Sequence, residues 1–423
     1  MKRVMRMSVA GVLAVAGVAS AQHASYLVAD RTTNVIWRLT DLNDDGVITT
    51  PEEAVVFFGE GNAPGTLAPD NPTMMEWDSA TGVVLMGDQA RRCLYLLRDL
   101  NGDGDAMDIG ESVVAADASN ASGESFAFPT GGGIAEDGNS WLVVNAGNGF
   151  GDDRLYRCVD VDGDGRFQSA GEVIEVIAEP TFVGNGPYSP QEIVVRTGTG
   201  FGTAGFLRNS SANLHGVYAY TDTSGDGVIG AGEFVPYWTL GASGVTPLAG
   251  FAIAAGLGER EMYALQLATG GVDQLVRLVD VDGNGSCNDA GEATVVWSTG
   301  ESGFTSIDVI VLADGDVLIT DNSGGDIVRL HDADGNGLFD NATERTAFLV
   351  EGADLVVDAR QLLRFSDWFC HADRDHSGAV DSDDIIAFFG AWDSGEVGGD
   401  YDGDGDNDSD DIVLFFVDWD TGC

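Results

Sequence analysis

Residues 160–172 read Asp-Val-Asp-Gly-Asp-Gly-Arg-Phe-Gln-Ser-Ala-Gly-Glu. An EF-type calcium loop places side-chain oxygens at positions 1, 3 and 5, a turn-making glycine at 6, a backbone carbonyl at 7 and a bidentate acid at 12. This stretch supplies Asp160, Asp162, Asp164 and Gly165 in that order, but its acid, Glu172, comes one residue late.

Five further copies run through the chain, and their first aspartates (Asp41, Asp99, Asp160, Asp222, Asp280, Asp332) lie 58, 61, 62, 58 and 52 residues apart. A near-constant period of this size marks a fold built from one repeated supersecondary unit. Loop 1 offers Asp41, Asn43, Asp45 and Glu52 in the twelve-residue register, with Glu53 beside it at position 13. Loop 4 offers Asp222, Ser224, Asp226 and Glu233, also in twelve. Loop 2 (Asp99, Asn101, Asp103, Glu111), loop 5 (Asp280, Asp282, Asn284, Glu292) and loop 6 (Asp332, Asp334, Asn336, Glu344) share the late acid of loop 3. Gly110, Gly171 and Gly291 precede three of the late acids and can absorb the extra residue as a bulge. A hairpin turn needs only one or two Asp or Gly residues. Oxygen-bearing side chains at 1, 3 and 5 with a distant glutamate, six times over, predict calcium.

Each loop follows a short apolar run whose residue five before the first Asp is Ile36, Leu94, Leu155, Val217, Leu275 or Ile327. Upstream lies a second run ending in a polar residue: Asp30, Asp88, Asn145, Asn209, Gln266 or Asp321. A third run precedes several of these, and a fourth follows each loop, as in Val173–Ile177. Three to four β-rich runs per repeat, without helical period, predict an all-β fold, a six-bladed propeller over residues 22–366. The first repeat lacks its opening strand, so the leftover segments Ala347–Val350 and Asp354–Val357 are expected to pair with the N-terminal strands and close the ring.

The chain of 423 residues carries 69 Asp+Glu against 20 Lys+Arg, a formal net charge of −49. Such a surface excludes nucleic acid as a partner and disfavours anionic membranes. It also repels itself, which bound cations would relieve. Residues 1–21 read as a signal peptide, with a basic start, an apolar stretch from Val9 to Val18 and Ala19-Ser20-Ala21 before the cut. No segment is long enough to span a membrane. The mature protein is expected outside the cell or at its surface, where calcium is plentiful.

From Asp367 the pattern changes to two twelve-residue loops, 373–384 and 400–411, each running into an apolar helix, 384–392 and 411–419. Their candidate ligands are Asp373, Asp375, Ser377, Asp381 and Asp384, then Asp400, Asp402, Asp404, Asp408 and Asp411. Apolar residues 385, 386, 389 and 392 are expected on one helical face.

Two resemblances follow. The stretches "YLVADRTTNVIWRL" (26–39) and "VLITDNSGGDIVRL" (317–330) resemble NHL and gluconolactonase-like propellers. That likeness implies a propeller and, in its gluconolactonase branch, a divalent metal in the central channel with lactone hydrolysis. Residues 367–423, with paired Asp-terminated loops, Cys370 and the closing Gly422-Cys423, resemble the GC-type dockerin-like anchor of planctomycetal secreted proteins. This second likeness implies a small α-helical paired F-hand domain, two bound Ca²⁺, and docking to a cohesin-like or cell-surface protein. With the six propeller loops, calcium would total up to eight sites.

Cys370 and Cys423 bracket the module and are expected to form a disulfide, Cys158 belongs to the core, and Cys93 and Cys287 lack an evident partner. No nucleophile elbow, Cys/His pair or outstanding carboxylate pair points to catalysis. The ring of strand-end polar residues reads as strand caps. The sequence therefore predicts a non-catalytic binding or scaffold propeller with an unknown ligand on its face, and alternatively a tail-anchored hydrolase or lyase on polysaccharide or lactone.

Overall fold

The computed structural model describes residues 24–365, 382–394 and 409–421, except 44, 63–65, 80, 136–137, 148–152, 179–188, 196–204, 211–214, 231, 240–242, 269–271, 300–303, 350–355 and 357. Six four-stranded antiparallel sheets carry the repeats, so the six-bladed propeller stands. Blade 1 contains β1 (Ser25–Asp30), β2 (Val35–Thr40) and β3 (Ala54–Phe58). Blade 2 runs from β4 (Pro72–Trp77) through β5 (Val84–Asp88) and β6 (Cys93–Leu97) to β7 (Ser112–Ala116). Blade 3 comprises β8 (Pro129–Ile134), β9 (Trp141–Asn145), β10 (Arg154–Cys158) and β11 (Val173–Ala178). Blade 4 comprises β12 (Pro190–Val195), β13 (Gly205–Asn209), β14 (Gly216–Tyr220) and β15 (Phe234–Trp238). Blade 5 comprises β16 (Ile253–Ala255), β17 (Glu261–Ala268), β18 (Val272–Val279) and β19 (Ala293–Ser298). Blade 6 comprises β20 (Ser306–Val311), β21 (Val317–Asp321), β22 (Ile327–Leu330) and β23 (Arg345–Leu349).

The missing innermost strand of blade 1 is β24 (Ala359–Phe365), which pairs with β1 from Ser25↔Phe365 to Asp30↔Ala359. This corrects the expected closure. Residues 345–349 are the outer strand of blade 6, and most of 354–357 falls outside the described residues. The repeat does not reveal this strand, because Ala359–Phe365 has no neighbouring loop to mark it. Innermost strands β24, β4, β8, β12, β16 and β20 touch in turn around a closed ring, so the sheet edges that face the channel are short and shielded by one another.

Blades stack face to face, so middle strands are buried on both sides, as β1, β5, β9 and β14 are along their whole length. Six apolar clusters fill the propeller, one at each seam. Every third strand also bulges against the fourth at the same place, between Ile36 and Trp37 in blade 1 and between Leu155 and Tyr156 in blade 3. A bulge there increases local twist and turns the outer strand out of plane.

The strand-end polar residues are caps. Asp88, Asn145, Asn209, Gln266 and Asp321 accept the N–H groups of Asp70, Phe128, Ser189, Leu248 and Thr305, each just before an innermost strand. Cys158 lies in the core, and Cys93 and Cys287 are likewise buried free thiols.

Beyond the propeller stand α1 (Ser382–Ser394) and α2 (Ser409–Thr421), both starting two residues earlier than the spacing suggested. Phe388 and Phe415 stack at 4.3 Å and 6°, and the edge contacts Phe389–Trp392 and Phe416–Trp419 repeat on either side. The contact face is 385, 388, 389 and 392, the i, i+3, i+4, i+7 stripe. Ile386, expected inside, is 70% exposed because it lies about 100° round the helix from Ile385. Cys370, Cys423 and loop residues 373–381 and 400–408 lie outside the described residues. No described helix is long and apolar enough to cross a membrane.

Candidate metal loops and channel carboxylates

Each loop joins the third strand of its blade to the outermost one. Loop 3 shows how the acids shape it. Asp160 accepts the N–H groups of Gly163 and Gly165 at 2.7 and 2.8 Å, and Asp164 accepts that of Arg166. Glu172 accepts those of Val161 and Asp162 on one oxygen and Ser169 on the other. The acids thus wrap the backbone into a ring, with the position-6 glycine at φ between +73° and +98° in all six loops. Only glycine takes that conformation cheaply.

Oxygens of Asp160, Asp162 and Glu172 lie within 4.8 Å of one another. So do those of Asp280, Asp282 and Glu292, and of Asp332, Asp334 and Glu344. These three loops have Asp at position 3, where loops 1, 2 and 4 carry Asn43, Asn101 and Ser224. A carboxylate has about four lone-pair sites, so these oxygens can hold backbone N–H groups and a cation together. The donor set is all oxygen, which suits Ca²⁺. Asn284 and Asn336 at position 5 turn their amide groups onto Asp282 and Asp334. In loop 2 the Asn101 amide joins Asp103 and Asp108.

Loop 1 corrects one assignment. Glu53 is 2% exposed and accepts the Thr49 and Thr50 N–H groups, whereas Glu52 is exposed. Position 13 is therefore the buried one in five loops, and loop 4 is one residue shorter, with Glu233 accepting Thr223, Ser224 and Gly230 N–H groups. No helix follows to fix position 12. The backbone donors hold Glu53 below the usual carboxylate range and bring Glu233 down to about 2. Burial pushes Asp99 up to about 6 and Glu111 up to about 7. Glu53→Ala should orphan two amides and cost about 1–3 kcal/mol in urea unfolding, while Glu52→Ala leaves the midpoint unchanged. Equal effects would return the acid to position 12.

Sequence reasoning missed position 8. Ile48, Ala106, Phe167, Ile229 and Cys287 are buried there, and Phe339 is partly so. Each sits in the cluster of the seam with the preceding blade. Each donates its N–H to that blade's outer strand: Ile48 to Phe348, Ala106 to Phe57, Phe167 to Ala115, Ile229 to Val176, Cys287 to Tyr237 and Phe339 to Val296, all at 2.7–2.9 Å. The acceptor stands four residues past the preceding loop's glutamate in all six cases. The signal was an apolar residue at one fixed place in every polar loop. It also accounts for Cys287.

A carboxylate pair missed in the sequence lies in the channel wall. Glu192 on β12 accepts the Ile193 N–H and the Gln361 side-chain amide. Asp308 on β20 accepts the Val309 and Leu362 N–H groups. Both are buried, and Glu76 on β4 stands near enough to act on Glu192. Burial and mutual repulsion raise Glu192 well above its ordinary value and Glu76 to about 8, while burial takes Asp308 to about 7. Gly131 makes room, since a Cβ there would meet Glu192 Oε1 at 2.4 Å and its Cα at 2.7 Å. A cavity of about 80 Å³ lies against the pair, walled by Phe128, Phe251 and Ile307. Arg360 at its rim pairs with Asp358. The signal was an acid inside an otherwise apolar innermost strand, as in "PQEIVV" and "SIDVIV". Among the described residues these acids do not gather as the loop acids do.

No protein-family model matches the sequence, and no curated protein matches it. Among solved structures, a chain of a nidogen/laminin complex is similar over 81% of this chain and 98% of its own, with a TM-score of 0.52 and 12% identity. Weaker likenesses are TolB from Acinetobacter baumannii (TM-score 0.46, 11% identity, 82% and 67% covered) and the periplasmic gluconolactonase PpgL of Pseudomonas aeruginosa (0.45, 15%, 77% and 83%). At such identities the first speaks for the propeller fold alone, and the other two carry no argument.

Proposed function

We propose that this chain is an exported, calcium-stabilised propeller that serves as a binding or scaffold module. In this reading residues 1–21 direct export. The 367–423 module takes two further Ca²⁺ and docks the protein to a cohesin-like or cell-surface partner. The observation that carries it is the gathering of carboxylate oxygens within 4.8 Å in loops 3, 5 and 6, in a chain of net charge −49. The loops lie between third and outermost strands, away from the channel, which fits a structural role for the metal. The test is calorimetric titration of the chelator-treated full chain with CaCl₂. Uptake of several Ca²⁺, rising toward eight, supports it, and no heat of binding at millimolar calcium defeats it.

A second reading rests on the buried Glu192–Asp308 pair beside the apolar-walled cavity. Two carboxyls whose burial raises their pKa values, Asp308 to about 7, can exchange protons with a bound substrate. That fits a hydrolase or lyase acting on polysaccharide or lactone, with the tail delivering it to its partner.

A further inference from the structure

We infer that calcium in each loop clamps the blade that precedes it, so that a metal site of one blade guards its neighbour's outer strand. This rests on the calcium reading of the loops. The physical link is one peptide group. In an EF-type loop the carbonyl of residue 7 faces the metal, and the N–H of residue 8 belongs to the same planar unit. Here that N–H is the donor that crosses the seam in all six loops, from Phe167 to Ala115 O at 2.7 Å in loop 3. A cation on one side of the unit polarises it and strengthens the hydrogen bond on the other. The residue-8 side chain follows the amide into the seam, with Phe167 2% exposed among Leu94, Ala115 and Tyr156.

One arginine crosses one of these seams from the other side. Arg38 of blade 1 donates to Gly104 O, the position-6 carbonyl of loop 2, at 3.0 Å. The residue-8 clamp itself runs one way: loop 3 reaches back to β7 of blade 2, while loop 4 reaches back to β11 of blade 3.

The test is hydrogen exchange of the full chain in calcium, comparing wild type with Glu172→Gln and with Phe167→Ala. Glu172→Gln removes a loop-3 carboxylate and should speed exchange in β7 of blade 2 by about tenfold, with β15 of blade 4 unchanged. Phe167→Ala keeps every oxygen of the loop, yet should deprotect β7 similarly and weaken calcium uptake by loop 3. If Phe167→Ala does not fold, Phe167→Leu gives the milder version of the same pattern. Unchanged β7, or equal loss in blades 2 and 4, overturns the one-way clamp while leaving calcium binding intact. Failure of the wild type to take up calcium overturns both.

Discussion

Stripping calcium from the full chain with EGTA at neutral pH should lower its melting temperature by about 10–20 °C. Extracellular calcium modules commonly bind in the range of about 10⁻⁴–10⁻³ M. At about 10 mM calcium each such site adds roughly 1.4–2.7 kcal/mol to the folded state. Six loops then add about 8–16 kcal/mol, provided the unfolded chain binds none. Unfolding entropy of about 2.1 cal/mol/K per residue converts that to the stated shift. Repulsion among 69 acids returning on removal of the metal acts in the same direction. Calorimetry with and without chelator checks it, and magnesium controls for ionic strength. A shift below about 2 °C would mean that the loops are finished turns, held by their own backbone N–H groups without metal.

Glu76→Gln should stabilise the protein at alkaline pH and leave it nearly unchanged in acid. Glu76 rises from 4.5 to about 8 on folding, so between these values the native state binds more protons than the unfolded chain. Stability from this group is complete below about pH 4 and declines as pH rises, until it is lost above about 8. Gln removes that dependence. At pH 8.5 a gain of about 2–4 kcal/mol is expected, the lower figure allowing for solvent at the partly exposed carboxyl. Asp308, raised from 3.8 to about 7, contributes with the same sign. Urea unfolding of wild type and variant from pH 4 to 9 reads the effect, because titrations remote from the channel cancel in the difference and those of Glu192 and Asp308, which Glu76 repels, shift with it. Parallel curves would show that the channel acids are ionised at neutral pH and stabilised by something else.

The repeat made the propeller legible because a loop of fixed chemistry recurs once per blade, and strand patterns could be aligned on it. What escaped was whatever lacked that marker. Strand β24 has no loop beside it, so the repeat points to Ala347–Val350 and Asp354–Val357 for the clasp instead of Ala359–Phe365. The late glutamate is readable in four loops, whereas in loop 1 the EF-type register favours Glu52 and only the repeat's own register favours Glu53. Position 8 was visible as Ile, Ala, Phe, Ile, Cys and Phe, yet its meaning depends on the neighbouring blade, which no local pattern encodes. The channel pair is harder still. Glu192 and Asp308 lie more than a hundred residues apart in the chain, and only closure of the ring sets one acid against the other.

Strand β24 is both the innermost strand of blade 1 and the last propeller strand before the C-terminal module. If a partner holds that module, any tension on the tail enters the propeller through β24. The load passes to β1 along the register from Phe365↔Ser25 to Ala359↔Asp30, and to blade 6 through the Leu362 amide on Asp308. Dragged against its surface by flow, the molecule would be pulled at its own latch, and the strength of that latch sets the force it withstands before the circle opens.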